Sequence, residues 1–329
     1  MAAAAASAYH GPPELTPLRA LTSWSVDLPV LIAVLLAAGL YLAGARRLRR
    51  SGQPWPAVRA AAFLGGGLGV AVIATMSSVG TYDGVLFWIR ALQTILLLLV
   101  APLFLAMGRP LTLAVAALPG PGARIMAAVR SRPARILTFP AVTAGALVVT
   151  PFVLYFSPWY GAGLHSGAVR ELTYLALLVP GFAFFWTLLR VDPVPRAYPY
   201  LVSLWVTAAE VIGDVILGLA VMADQHLIAG AYYHALARPW GPGPATDQVL
   251  GGGTLWVLGD IVGLPFLAAQ LIQMIREDEG EAEQIDAELD ARDAARQAAA
   301  AGPGGPPAGD RPWWESDPRF ADRFRPAGQ

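Results

Sequence analysis

The chain has 329 residues, of which 56% are hydrophobic and 14% charged, and it is formally uncharged at pH 7. That composition excludes an ordinary soluble globular protein, and the balanced charge points away from a nucleic-acid partner. Cysteine and lysine are both absent, so disulfides, thiolate metal ligands and thiol redox chemistry are excluded and every cation is arginine or histidine.

Apolar runs of about 20 residues, each able to cross about 30 Å of hydrocarbon, succeed one another along the chain. Residues 1–24 read as a flexible tail without the basic start and apolar core of a cleaved signal. The first span covers residues 28–45 and ends in Arg46, Arg47, Arg49 and Arg50. The second, residues 57–77, repeats small residues at Ala61, Gly65 and Gly69 and predicts a close-packing face there. The third, residues 85–107, carries Arg90, Gln93 and Thr94. An arginine-rich connection with an amphipathic piece, LTLAVAALPG, leads to the fourth span at residues 137–156. The stretch SPWYGAGLHSG reads as a short external loop before the fifth span, residues 169–189, which is interrupted at Pro180-Gly181.

The sixth span, residues 201–222, holds Glu210 and Asp214 four residues apart, hence on one helical face, with Ser203 and Thr207 on the same stripe. A long aromatic, Gly/Pro-rich external loop precedes the seventh span at residues 249–275, which carries Asp260. Residues 277–300 read as a charged cytoplasmic helix, and residues 301–329 as a disordered tail with a WWESDPRF patch for a partner or the membrane surface. Arginines concentrate on one set of connections, twelve between Arg46 and Arg196. The positive-inside rule then predicts an all-α, polytopic bundle of about seven transmembrane helices, N-terminus out and C-terminus in, with residues 25–276 as the membrane domain.

Charged groups inside a bilayer are costly, about 2.5–3.5 kcal/mol each on insertion scales, so they face the bundle interior and carry partners. Arg90, Gln93, Glu171, Tyr174, Glu210, Asp214 and Asp260 form the expected intramembrane polar cluster. The structural expectation is that Arg90 pairs with Asp214 or Glu210; the functional one is a cation path or proton relay along Glu210, Asp214 and Asp260. The histidines at 10, 165, 226 and 234 all fall outside the membrane. His226, His234 and Met222 are weak copper candidates, since imidazole and thioether suit copper but the spacing is not a helical chelate. Motifs for a P-loop, GxSxG or HExxH are absent, and Gly251–Gly253 opens a membrane helix without a preceding strand. No nucleophile–base pair or metal triad can be assembled, so no enzyme is expected.

Several segments in order (ALQTILLLLVAPLFLAMGRPLTLAVAALP, SRPARILTFPAV, YFSPWY, GFAFFW, VDPVPR, RPWGP and DQVLGGGTLWVLGD) resemble the CtaG-type cytochrome c oxidase assembly proteins of the bacterial plasma membrane. The resemblance covers roughly residues 25–278 and implies a part in oxidase biogenesis, copper handling at the outer face, and oxidase subunits or copper chaperones as partners besides the lipid bilayer. It also singles out Arg238, Trp240, Asp247 and Gln248 as loop residues matching the family. The family places histidines in its helices 3, 5 and 6. Here Arg90 and Thr94, then Gly167, Arg170, Tyr174 and Ala176, then Asp214 stand at those places, whereas Glu171, Asp247, Gln248 and Asp260 fit the pattern. The implied consequence is an ion pair where the family has a metal site. Two other readings stand beside assembly: a copper or proton transporter using the intramembrane carboxylates, and a structural membrane docking subunit.

Overall fold

The computed structural model describes residues 9–195 and 198–300. Helices make up the architecture, with no strand among the described residues. Helix α1 (Leu28–Arg50) starts where the Asp27 carboxylate accepts from Val30 N–H, and it ends in the arginine cluster. Helix α2 (Ala57–Tyr82) and helix α3 (residues 87–107) follow, and each contains a wide π-helical stretch, Ala62–Leu68 and Leu96–Val100. At Arg109 the backbone turns left-handed (φ 53°) and breaks the apolar run, so that the LTLAVAALPG piece becomes a separate helix, α4 (Pro110–Ala117).

Two short helices, α5 (Pro119–Val129) and α6 (Arg132–Leu137), lead to α7 (Pro140–Tyr155). The segment expected as a short external loop is instead helix α8 (Pro158–His165), bent 68° from α7. The correction has a local cause: Pro158 suits a first helical turn and Ser157 caps it by accepting from Trp159 N–H. Helix α9 (Gly167–Leu189) runs unbroken through Pro180, and α10 (Tyr200–Ala223), α11 (Gly230–Leu236) and α12 (Pro244–Ala300) complete the chain. Among the described residues, six helices are long and apolar enough to cross a membrane, or seven if the bent α7–α8 pair is one span.

Burial is inverted relative to a soluble protein. Leu35, Leu36, Leu40, Leu175, Val179 and Ile216 are exposed, whereas Arg90, Gln93, Thr207, Glu210 and Asp214 are buried. In lipid that distribution lowers the energy twice, by wetting apolar side chains with hydrocarbon and by keeping polar ones off it. The close-packing face predicted in α2 is displaced. Ala61 and Gly65 are exposed, and the glycines with no room for a Cβ are Gly66, against Phe104, and Gly67, against Leu105. The π-helical stretch Ala62–Leu68 rotates the register within that segment, which a strict four-residue count does not follow.

The chain divides into two compact units at Leu271/Ile272. The first holds the buried core around Leu97, Leu98, Leu147, Phe184, Phe185 and Leu255. In the second, the helical residues are largely exposed and carry surface pairs such as Arg292–Glu288. Residues 1–8 and 301–329, including the WWESDPRF patch, lie outside the described residues.

Candidate functional site: buried polar groups and a loop clamp

The expected intramembrane cluster separates into three groups. In the first, Arg90 lies 3.8 Å from Asp83, and its guanidinium sits over the Tyr160 ring at 4.9 Å. Asp83, not Asp214 or Glu210, is therefore its ion-pair partner. Asp83 precedes Arg90 by seven residues across the tight α2–α3 connection, which carries the carboxylate back to the arginine. Burial pushes the Asp83 carboxyl above the usual range, and Arg90 opposes that shift. Helix α8 closes over the pair: a Cβ at Gly163 would lie 2.8 Å from Arg90 Nη2.

Around Arg90, the Tyr160 and Tyr233 hydroxyls are 2.7 Å apart, the Thr94 and Tyr155 hydroxyls 3.0 Å apart, and Gln93 donates to the Ala74 carbonyl at 2.9 Å. Tyr174 is buried beside the same groups. We expect Arg90→Gln alone to destabilise the protein by about 3–5 kcal/mol, because it strands a buried carboxylate. The double variant Arg90→Gln/Asp83→Asn is expected to recover part of that loss, read by thermal unfolding in detergent.

The second group joins Asp27, Arg170 and Glu171. Arg170 lies 3.8 Å from Asp27, the residue that caps α1, and Glu171 faces the same carboxylate.

The third is a seam between α10 and α12. A Cβ at Gly259 would stand 2.3 Å from Asp214 Oδ2, one at Gly263 would stand 3.4 Å from Glu210 Oε2, and one at Gly218 would meet the Gly252 carbonyl at 2.7 Å. Further along the same seam, Gln270 donates to the Thr207 hydroxyl at 2.8 Å. Asp214 Oδ2 is buried without a hydrogen-bond partner. Asp260 points around α12, where Trp256 donates to it at 2.8 Å. Asp214 thus lies against Gly259 of the facing helix and Glu210 near Gly263, where Val211 also packs.

At the N-terminal ends of α3 and α12, the residues singled out from the sequence converge on a clamp. The Asp247 carboxylate accepts from the N–H groups of Phe87 and Trp88, each at 3.1 Å, and from Arg238 at 3.2 Å. It thereby supplies the start of α3 with acceptors for amides that have no partner within the helix. Arg238 donates to the carbonyls of Trp240 and Pro242, and its guanidinium lies 4.8 Å from the Trp240 ring centre. Gln248 accepts from Ile228 N–H at 2.8 Å and donates to the carbonyls of Val221 and Asp224 at 3.2 and 3.1 Å. Tyr9 and Tyr82 pack edge-on against Trp240, and Tyr82 donates to the Pro13 carbonyl, which ties the N-terminal segment to the same face.

Asp192 plays a matching part elsewhere, accepting from Leu111 and Thr112 N–H at 3.0 and 2.8 Å at the start of α4. Sequence reading passed over both Asp83 and Asp192. The seven-residue step from Asp83 to Arg90 was the available signal for one; Asp192 stands in the VDPVPR segment that carries the resemblance, but its partner Thr112 lies 80 residues away.

The weak copper candidates His226, His234 and Met222 lie in and after the C-terminal end of α10. No group of three or more His, Cys, Asp or Glu side chains is arranged to hold a metal ion among the described residues. His226 and His234 are both exposed, the only acid paired with either among the described residues being Asp224, 3.6 Å from His226, and Met222 packs on Gly252.

The fold and its buried polar groups define a multi-pass, all-helical membrane protein. Residues 39–277 match the Caa3_CtaG family, described as the cytochrome c oxidase caa3 assembly factor, and the chain belongs to that family. It is similar to uncharacterized protein Mb0105 of Mycobacterium bovis, 30% identical over 291 residues that cover 86% of this chain and 44% of the relative. Uncharacterized protein ML1998 of Mycobacterium leprae is 28% identical over 288 residues, covering 85% and 43%. The chain therefore spans less than half the length of these curated relatives. No solved structure matches it.

Proposed function

We propose that the chain assists assembly of cytochrome c oxidase in a bacterial plasma membrane, acting by docking an oxidase subunit and without catalysing a reaction. The family match across the helical bundle carries this reading. The outer clamp supports it: Arg238, Trp240, Asp247 and Gln248 spend their polar atoms holding a loop, α3 and α12 in one arrangement. A surface of fixed shape suits recognition of a partner. Copper delivery draws no support from the described side chains, so binding is placed on shape and loop surface.

The test is a deletion strain, assayed for oxidase activity and assembled oxidase with and without added copper. Loss of assembled oxidase at both copper levels, restored by the full chain, is the expected result. Normal oxidase in the deletion strain would overturn the reading, and rescue by copper alone would move it to metal supply.

The orientation follows from arginine placement: N-terminus out, C-terminus in, clamp outside. The absence of cysteine makes it directly testable. A membrane-impermeant maleimide should label Gly243→Cys in intact cells and Ser131→Cys only after permeabilisation. The opposite pattern reverses the topology.

A further inference from the structure

Helices α1 and α4, with Phe63 of α2 between them, enclose an apolar groove of about 470 Å³ lined by Ala37, Leu40, Gly44, Leu113 and Ala114 and bounded by Arg47. From Ala37 to Arg47 the groove follows α1 for about 15 Å, half the thickness of a hydrocarbon core and so the span of one leaflet. Its Arg47 end is built from aromatic and cationic groups. Trp55 donates to the Tyr41 hydroxyl at 2.8 Å, Tyr41 donates to the Gly108 carbonyl at 2.7 Å, and Arg59 lies over Trp55 at 4.9 Å. Arg109 stands within electrostatic reach of Arg59, and Arg46, Arg49 and Arg50 continue the cationic end of α1.

Among the described residues, none of these arginines has a carboxylate at ion-pair distance. The neighbouring acid, Asp192, has its oxygens on Leu111 and Thr112.

We propose that this groove binds one anionic phospholipid, its acyl chain along α1 from Ala37 and its phosphate at Arg47, Arg59 and Arg109. Charge complementarity selects the occupant. A lipid without net charge fills the apolar part equally well but brings the arginines no anion, whereas an anionic headgroup places a phosphate at ion-pair distance. The inference concerns the membrane domain alone and does not depend on the role in oxidase assembly.

The experiment is native mass spectrometry of the full chain purified in detergent, with phosphatidylglycerol and phosphatidylcholine of identical acyl chains offered together. One phosphatidylglycerol should be retained in preference. Arg47→Gln, a change at an exposed side chain, should cut that preference about fivefold, the share of one arginine near a charged headgroup. Ala114→Phe, which fills the groove, should abolish retention of both lipids while the variant keeps the thermal midpoint of the parent protein. Equal retention of the two lipids by the parent protein, or unchanged phosphatidylglycerol binding in Ala114→Phe, would overturn the proposal.

Discussion

Asp247→Ala is expected to be among the most damaging single substitutions in the chain, costing about 3–5 kcal/mol. Three donors converge on that carboxylate, two of them amides at the start of α3 and the third the guanidinium of Arg238. Asp247 is 1% exposed, so water cannot replace the lost acceptor without opening the loop. The consequence extends beyond one helix end. Arg238 would remain buried with only carbonyl partners, and the segment from Arg238 to Pro244 would lose its anchor. Asp247→Asn keeps an acceptor for one amide and removes the charge, so an intermediate loss is expected. A double-mutant cycle with Arg238→Gln separates the pair from the helix cap: if the two losses simply add, the residues act independently and the clamp account fails. Thermal unfolding and the yield of folded protein in membranes are the measurements.

Gly259→Leu carries the second large expected effect, because it drives a branched side chain into the seam between α10 and α12. A Cβ there already falls 2.3 Å from Asp214 Oδ2 and 3.0 Å from its Cγ, so the rest of the side chain has nowhere to go. Overpacking of a tight interface costs typically about 1–3 kcal/mol, and here the helices must also separate around a buried carboxylate. Gly253→Leu lies on the same helix, where a Cβ would meet nothing within 4 Å, and serves as the control, expected to be near neutral. If oxidase assembly depends on this bundle being closed, Gly259→Leu lowers assembled oxidase and Gly253→Leu does not. Equal behaviour of the two variants would remove the seam from the account. Asp214→Ala combined with Gly259→Leu should recover part of the loss, since removing the carboxylate makes room for the new side chain.

Much of the fold was legible because a membrane simplifies the rule that relates sequence to burial. Each long apolar run had to become a helix, as no other local structure pairs its own backbone in hydrocarbon. The runs expected at residues 28–45, 169–189 and 201–222 accordingly appear as the helices Leu28–Arg50, Gly167–Leu189 and Tyr200–Ala223. Legibility failed where a short segment's fate depended on what it lay against. SPWYGAGLHSG carried loop-like glycines, yet Gly163 is small because α8 lies on Arg90. The glycine spacing in α2 pointed to the wrong residues because the wide turns at Ala62–Leu68 moved the register. The loop residues Arg238, Trp240, Asp247 and Gln248 were singled out as a set by resemblance alone; their shared task as a clamp was invisible, since Asp247 reaches Phe87 across 160 residues.

From the sequence alone came the membrane class, the number and rough limits of the spans, and the expectation that Arg90, Glu210 and Asp214 would turn inward. All of these follow from the transfer cost of single residues, which depends on composition and period and not on neighbours. Partner choice was a different matter. That Arg90 pairs with Asp83, that Asp214 and Glu210 settle on Gly259 and Gly263, and that Asp247 anchors α3 were decided only in three dimensions. A buried charge requires compensation, but which group supplies it depends on helix rotation and on where two glycines allow backbones to touch, and no local pattern encodes that.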